Sequence, residues 1–125
     1  MVSTKSIIVV GADAETNMPN LLSTLRAHGL DLVQARTTAE LRALLREDAG
    51  ATIIVHDSPG ANTARTVLKT VAEAQTKVPV VVVAEHGNFE HYYDLMSEGA
   101  YDYFDLRDGL DAIERAVRWA AGSQP

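Results

Sequence analysis

Three uninterrupted β-branched runs constrain this chain more than anything else in it: Ile7-Ile8-Val9-Val10, Ile53-Ile54-Val55 and Val80-Val81-Val82-Val83. A strand with one face in water alternates apolar and polar residues. A strand covered on both faces is apolar throughout, which is the pattern of a parallel sheet held between helices. The segments between the runs carry the helical period instead. Met18, Leu21, Leu22 and Leu25 recur at that spacing, as do Leu41, Leu44 and Leu45, then Ala64, Val67, Leu68 and Val71. Leu110, Ile113, Ala116, Val117 and Ala120 make the buried stripe of a last helix.

Local signals set the boundaries. Pro19 fits only the first turn of a helix over residues 16–27, and Gly29 stands where a C-terminal cap belongs. Residues 32–35 form a short second strand. Thr37 and Glu40 read as a capping box for the helix that follows. Pro79 opens the fourth strand, Asn88 caps a helix over 89–98, and residues 101–104 form a fifth strand. Five strands thus alternate with five helices. The expected fold is α/β: a flavodoxin-like (βα)5 doubly wound parallel sheet with strand order 2-1-3-4-5.

At 125 residues this is the length of one domain. It holds no cysteine, so it has neither a disulfide framework nor a thiolate metal site. Its apolar runs fall far short of the roughly 20 residues of a membrane helix, and its first residues are too short and polar for a signal peptide. A cytoplasmic protein with no membrane contact follows. A net charge of −6 without a basic stretch argues against nucleic acid and favours a protein partner. A cofactor-binding reading lacks a glycine-rich phosphate loop after the first strand, where residues 10–15 carry one Gly and two acids.

Chemistry in such a sheet sits at the carboxyl ends of central strands, and there the third strand offers Asp57 before Ser58-Pro59-Gly60. At this point the chain resembles the receiver domain of two-component response regulators over residues 1–121, with 122–125 as a tail or the start of a linker. The most specific piece is Glu98-Gly-Ala-Tyr-Asp-Tyr-Phe104; Val78-Pro79 with the valine run, and the Asp57 strand end, support it. The resemblance implies a phospho-acceptor at Asp57. It also implies an acidic pair for Mg²⁺ at the end of strand one, a hydroxyl ending strand four, a lysine ending strand five and an aromatic switch. Here the acidic positions are Gly11 and Ala12, followed by Asp13; the switch positions are Ala84, Tyr103 and Leu106, with Arg107 after it. Only Tyr103 fits.

The expectation is therefore a pseudo-receiver: a regulatory interaction module, not an enzyme, with no cofactor and an Asp57 stripped of its supporting groups. The alternative keeps Asp57 as acceptor, with Mg²⁺ on rearranged ligands, Asp13 or Glu15. The alternative of another class is a small flavodoxin-like cofactor binder. Asp57 otherwise bonds amides of its own loop, and Asp13 and Glu15 otherwise cap the next helix. Two histidines, His56 and His86, are too few for a metal site by themselves. His28 and His91 are expected on helix surfaces without a role. Arg107 either pairs with Asp57 or is solvated. Tyr92, Tyr93, Tyr101 and Trp119 are the candidate interface residues, on the helix 4–strand 5–helix 5 surface that in receivers serves output domains, protein partners and homodimers.

Overall fold

A computed structural model of the chain describes residues 6–11, 14–47, 52–57 and 63–122. The strands are β1 (Ser6–Val10), β2 (Asp31–Ala35), β3 (Thr52–Asp57), β4 (Val80–Ala84) and β5 (Asp102–Asp105). They form one all-parallel sheet in the order β2-β1-β3-β4-β5, as the alternation of periods predicts. The helices are α1 (Pro19–Ala27), α2 (Thr38–Glu47), α3 (Thr63–Glu73), α4 (Phe89–Ser97) and α5 (Leu110–Gly122). No helix among the described residues is long and apolar enough to cross a membrane.

The β-branched runs are continuous because each residue faces one of two cores. Ile8, Val10, Ile53, Val55, Val80 and Val82 meet Leu41, Leu45, Val67, Leu68 and Leu95 from α2, α3 and α4. Their neighbours Ile7, Val9, Ile54, Val81 and Val83 meet Leu21, Leu22 and Leu25 of α1 and Ile113 and Val117 of α5. With every apolar position used, polar groups are left to the strand ends. The edge strands are different: β2 alternates exposed and half-buried residues, and both edges carry aspartates, which discourage further strand pairing.

The details depart from expectation in explicable ways. The first helix starts earlier, as a single turn over Ala14–Asn17, and breaks at Met18, whose φ of −132° and ψ of 45° are not helical. A residue before proline is pushed out of the α region, and Met18 precedes Pro19. The capping box is half formed: Glu40 N–H donates to the Thr37 hydroxyl (3.1 Å), but the Glu40 carboxylate takes the Arg36 amide (2.8 Å), one residue earlier than a box requires. Asn88 caps α4 as expected, accepting from His91 N–H at 2.8 Å. On α5 the stripe is rotated slightly: Glu114 and Ala121 are buried while Leu110 and Ala116 are half-buried. Glu114 is held by Arg118 (3.1 Å), with His28 at 3.8 Å. α5 runs on to Gly122, one residue into the expected tail; residues 123–125 lie outside the described residues.

Ile54 is fully buried at the centre of the sheet. Ile54→Ala is expected to cost about 2–5 kcal/mol of unfolding free energy, read by urea denaturation.

Candidate functional site

Asp57 closes β3 with its side chain 4% exposed. Its Oδ1 accepts the Ala64 backbone N–H at 2.9 Å. Ala64 is the second residue of α3, so this oxygen faces the positive end of a helix. Residues 58–62, with the Ser58-Pro59-Gly60 turn, lie outside the described residues. The other oxygen, Oδ2, is 3.2 Å from Nε2 of His91.

His91, expected on a helix surface without a role, is instead turned toward this corner. It is half-buried and lies between two groups: its Nδ1 is 3.0 Å from the Tyr103 hydroxyl. A bare nitrogen 3.2 Å from a carboxylate oxygen would oppose two lone pairs, so the proton belongs on Nε2. The Tyr103 hydroxyl, 3.0 Å from Nδ1, in turn faces the Asn88 amide. The available signal was spacing: His91 lies four residues before Leu95, which is buried, and so shares its inward face.

The remaining positions carry no catalytic group. Gly11 has a φ of +149°, and a Cβ there would stand 3.3 Å from the His56 Cβ. Ala12 and Asp13 lie outside the described residues. Glu15 does not turn toward Asp57; it pairs with Arg26 of α1. Ala84, beside Asp57 in register, presents a buried methyl. Leu106, where a lysine would stand, packs into the core beneath α1 and α5. His56 is buried with Nε2 lacking a hydrogen bond, 3.8 Å from Glu85, while His86 is exposed. No cluster of three potential ligands occurs among the described residues. Mg²⁺ favours octahedral oxygen ligands. Among the described residues the corner offers one carboxylate, with both oxygens already facing N–H groups, and these residues do not fit the ion.

Arg107 does not reach Asp57; it is exposed to solvent, as a loop arginine was expected to be. Its guanidinium clamps Asp105 through Nε (2.9 Å) and Nη2 (2.6 Å), and its backbone N–H adds a third bond at 2.8 Å. Gly87 N–H donates to the same carboxylate at 2.9 Å, tying the end of β5 to the loop before α4. Arg107 and these amides hold the Asp105 carboxyl well below the usual range. A Cβ on Gly87 would lie 2.9 Å from the Tyr103 hydroxyl, so any larger residue there would have to displace the Tyr103 ring. Tyr103 is buried, and that burial raises its pKa.

Above Tyr103 the aromatics reach the surface. Tyr92 meets Tyr103 edge-on at 5.7 Å and stacks with Phe89 at 6.2 Å. Neither Tyr92 nor Tyr93 points inward, and Phe89, which the sequence reading took only as a helix start, is the most exposed ring of the group. Tyr101 is exposed beside a groove formed with Pro79, Lys77 and Glu98. Trp119 is 71% exposed on α5, with no ring contact to the α4 group among the described residues. A separate cleft of about 230 Å³ lies between Gly11 and the first turns of α2 and α3. That is below the roughly 300–1,000 Å³ of small-molecule sites.

No protein-family model and no curated protein sequence matches the chain. Solved structures do. The chain superposes on FixJ-N with a TM-score of 0.81 at 14% identity, covering 100% of this chain and 98% of that one. It superposes on the beryllofluoride-activated NtrC4 receiver domain dimer at 0.78 and 17%, covering 95% and 98%. An atypical orphan response regulator described as having a phosphorylation-independent regulatory mechanism gives 0.70 and 13%, covering 93% and 94%. The fold is that of response-regulator receiver domains. At these identities the likeness carries the fold alone.

Two outcomes follow from this geometry. His91→Ala leaves the Tyr103 hydroxyl and one Asp57 oxygen short of a partner, at an expected cost of about 1–3 kcal/mol by urea denaturation. The Asp105 pKa is lowered, so its contribution to stability is present above the ordinary carboxylate pKa and is lost as pH falls below it. In Arg107→Ala, NMR titration of the Asp105 carboxyl should move up toward the ordinary range, and the acid side of the stability profile should flatten.

Proposed function

We propose that this domain is a regulatory, non-enzymatic interaction module of a two-component type system, a pseudo-receiver that works without phosphorylation of Asp57. One observation carries the reading. The Asp57 carboxylate faces Ala64 N–H on one oxygen and His91 on the other, while Gly11, Ala84 and Leu106 stand where supporting groups would be needed. Phosphoryl transfer depends on positioning and on neutralising spread negative charge. Losing one positioned donor or cation typically costs around 10²–10³ in rate. Both Asp57 oxygens face donors, and an oxygen engaged by a donor is a poorer nucleophile.

Under this reading the domain needs no metal or cofactor and acts in the cytoplasm through a protein partner or a fused output domain. The working surface is formed by α4, β5 and α5, where Phe89, Tyr92, Tyr93, Tyr101 and Trp119 are exposed. Neither nucleic acid nor membrane is its target. The orphan regulator among the structural neighbours, described as phosphorylation-independent, is a precedent for the fold working in this way.

The test is incubation with acetyl phosphate and Mg²⁺, read by intact mass. The expected result is no phosphoryl increment in either the natural chain or Asp57→Ala. A stable increment in the natural chain that disappears in Asp57→Ala would establish Asp57 as an acceptor and end this reading.

A further inference from the structure

We infer that the exposed face of α4 is a docking site for an arginine-rich protein segment. This rests on the interaction-module reading and names the chemistry of the partner. At 100° per residue, Phe89 and Tyr93 share one stripe of α4, and Glu90 and Asp94 share the stripe beside it. Phe89 is 77% exposed and Tyr93 64%, with ring centroids 6.3 Å apart. Tyr92 borders them, stacked on Phe89 and braced from below by Tyr103. A contiguous exposed aromatic group of this kind marks an interaction surface more than isolated exposed rings do.

Charge selects the partner. Residues 79–106 contain no Lys or Arg and six carboxylates: Glu85, Glu90, Asp94, Glu98, Asp102 and Asp105. Glu98 is bonded to Arg65, whose field also reaches Asp94, and Asp105 is bonded to Arg107. Glu90 and Asp94 form no ion pair among the described residues, and both are exposed. An apolar partner would bury these two carboxylates without compensation. A second copy offering the same face would set carboxylate against carboxylate. Arginine satisfies both stripes at once: its planar guanidinium lies flat on an aromatic ring while its N–H edge reaches a carboxylate beside it. A lysine ammonium is a compact point charge and lacks that double fit. Each stripe repeats about 6 Å along the helix axis. That is near the spacing of about 6.6–6.8 Å between alternate residues of an extended segment.

The test uses two synthetic peptides of equal charge, one with arginine and one with lysine at alternate positions between glycines. Each is titrated into the unphosphorylated chain at low and moderate salt, followed by NMR and calorimetry. The arginine peptide should bind severalfold tighter, because a guanidinium lies flat on a ring while its edge bonds the neighbouring carboxylate, with shifts centred on residues 89–98. Phe89→Ala/Tyr93→Ala, with charge unchanged, should bring it down to the lysine level. Glu90→Gln/Asp94→Asn should weaken both peptides. Equal binding of the two peptides, shifts centred elsewhere, or indifference to the aromatic pair would overturn the inference. These readouts concern only the α4 face. A phosphoryl increment on Asp57 would overturn the module reading and leave them unchanged, whereas equal peptide binding would remove this partner class and leave that reading standing.

Discussion

A parallel sheet buried on both faces has one place to put polar chemistry, and everything distinctive about this chain follows from that constraint. Each of the central strands β1, β3 and β4 gives alternate residues to two apolar cores, so none can spare a position for a charged group until it ends. Asp57 is the last residue of β3, following His56 and the apolar run that ends at Val55. A carboxylate at the edge of so dry an interior must be met by donors, because an uncompensated one would cost several kcal/mol. The fold supplies one donor for free, the N-terminus of α3. The sequence supplies the second, His91 from α4.

That second donor is what the proposed loss of phosphoryl chemistry turns on. In phosphoryl transfer the site needs cations and hydroxyls gathered around a carboxylate whose oxygens are free to attack. Here the neighbouring strand ends present a glycine, a methyl and a leucine side chain, and the leucine is drawn down into the core beneath α1 and α5. The one cation near the end of β5, Arg107, is fully occupied by Asp105. Its clamp fixes the β5 end against Gly87, and that same loop shapes the slot in which Tyr103 lies. Corner and slot are therefore one structure, joined through His91.

Most of the fold was legible because it rests on period and composition of side chains, which are local properties. The strand order and the cap at Asn88 could be read this way; the roles expected of Gly11, Ala84 and Leu106 came instead from the resemblance to receivers. His91 could not, because its importance depends on distance between elements remote in sequence: α4 must lie so that position 91 faces β3. The inward face of α4 was visible in Leu95, and His91 one turn earlier was the clue, but no period says which polar residue on an inward flank will find a partner. Phe89 was hidden for the opposite reason. As the first residue of a helix it reads as punctuation, and only the packing of Tyr92 beneath it exposes its ring. Arg107 is solvent-exposed, as one of its two readings had it; its bonds to Asp105, two residues away in the same tight turn, were not foreseen.

The aromatic ladder gives the corner a route to the surface, and its strength can be bounded. His91 bonds Tyr103, Tyr103 meets Tyr92, and Tyr92 stacks on Phe89, so the arrangement of α4 depends on contacts that begin at Asp57. Losing a buried partner of this sort is worth about 1–3 kcal/mol. One to two kcal/mol is a factor of about 5–30 between two arrangements. Under the proposed reading, a preference of that size would hold α4 in this arrangement, and a partner that bound another arrangement more tightly by one or two orders of magnitude would reverse it.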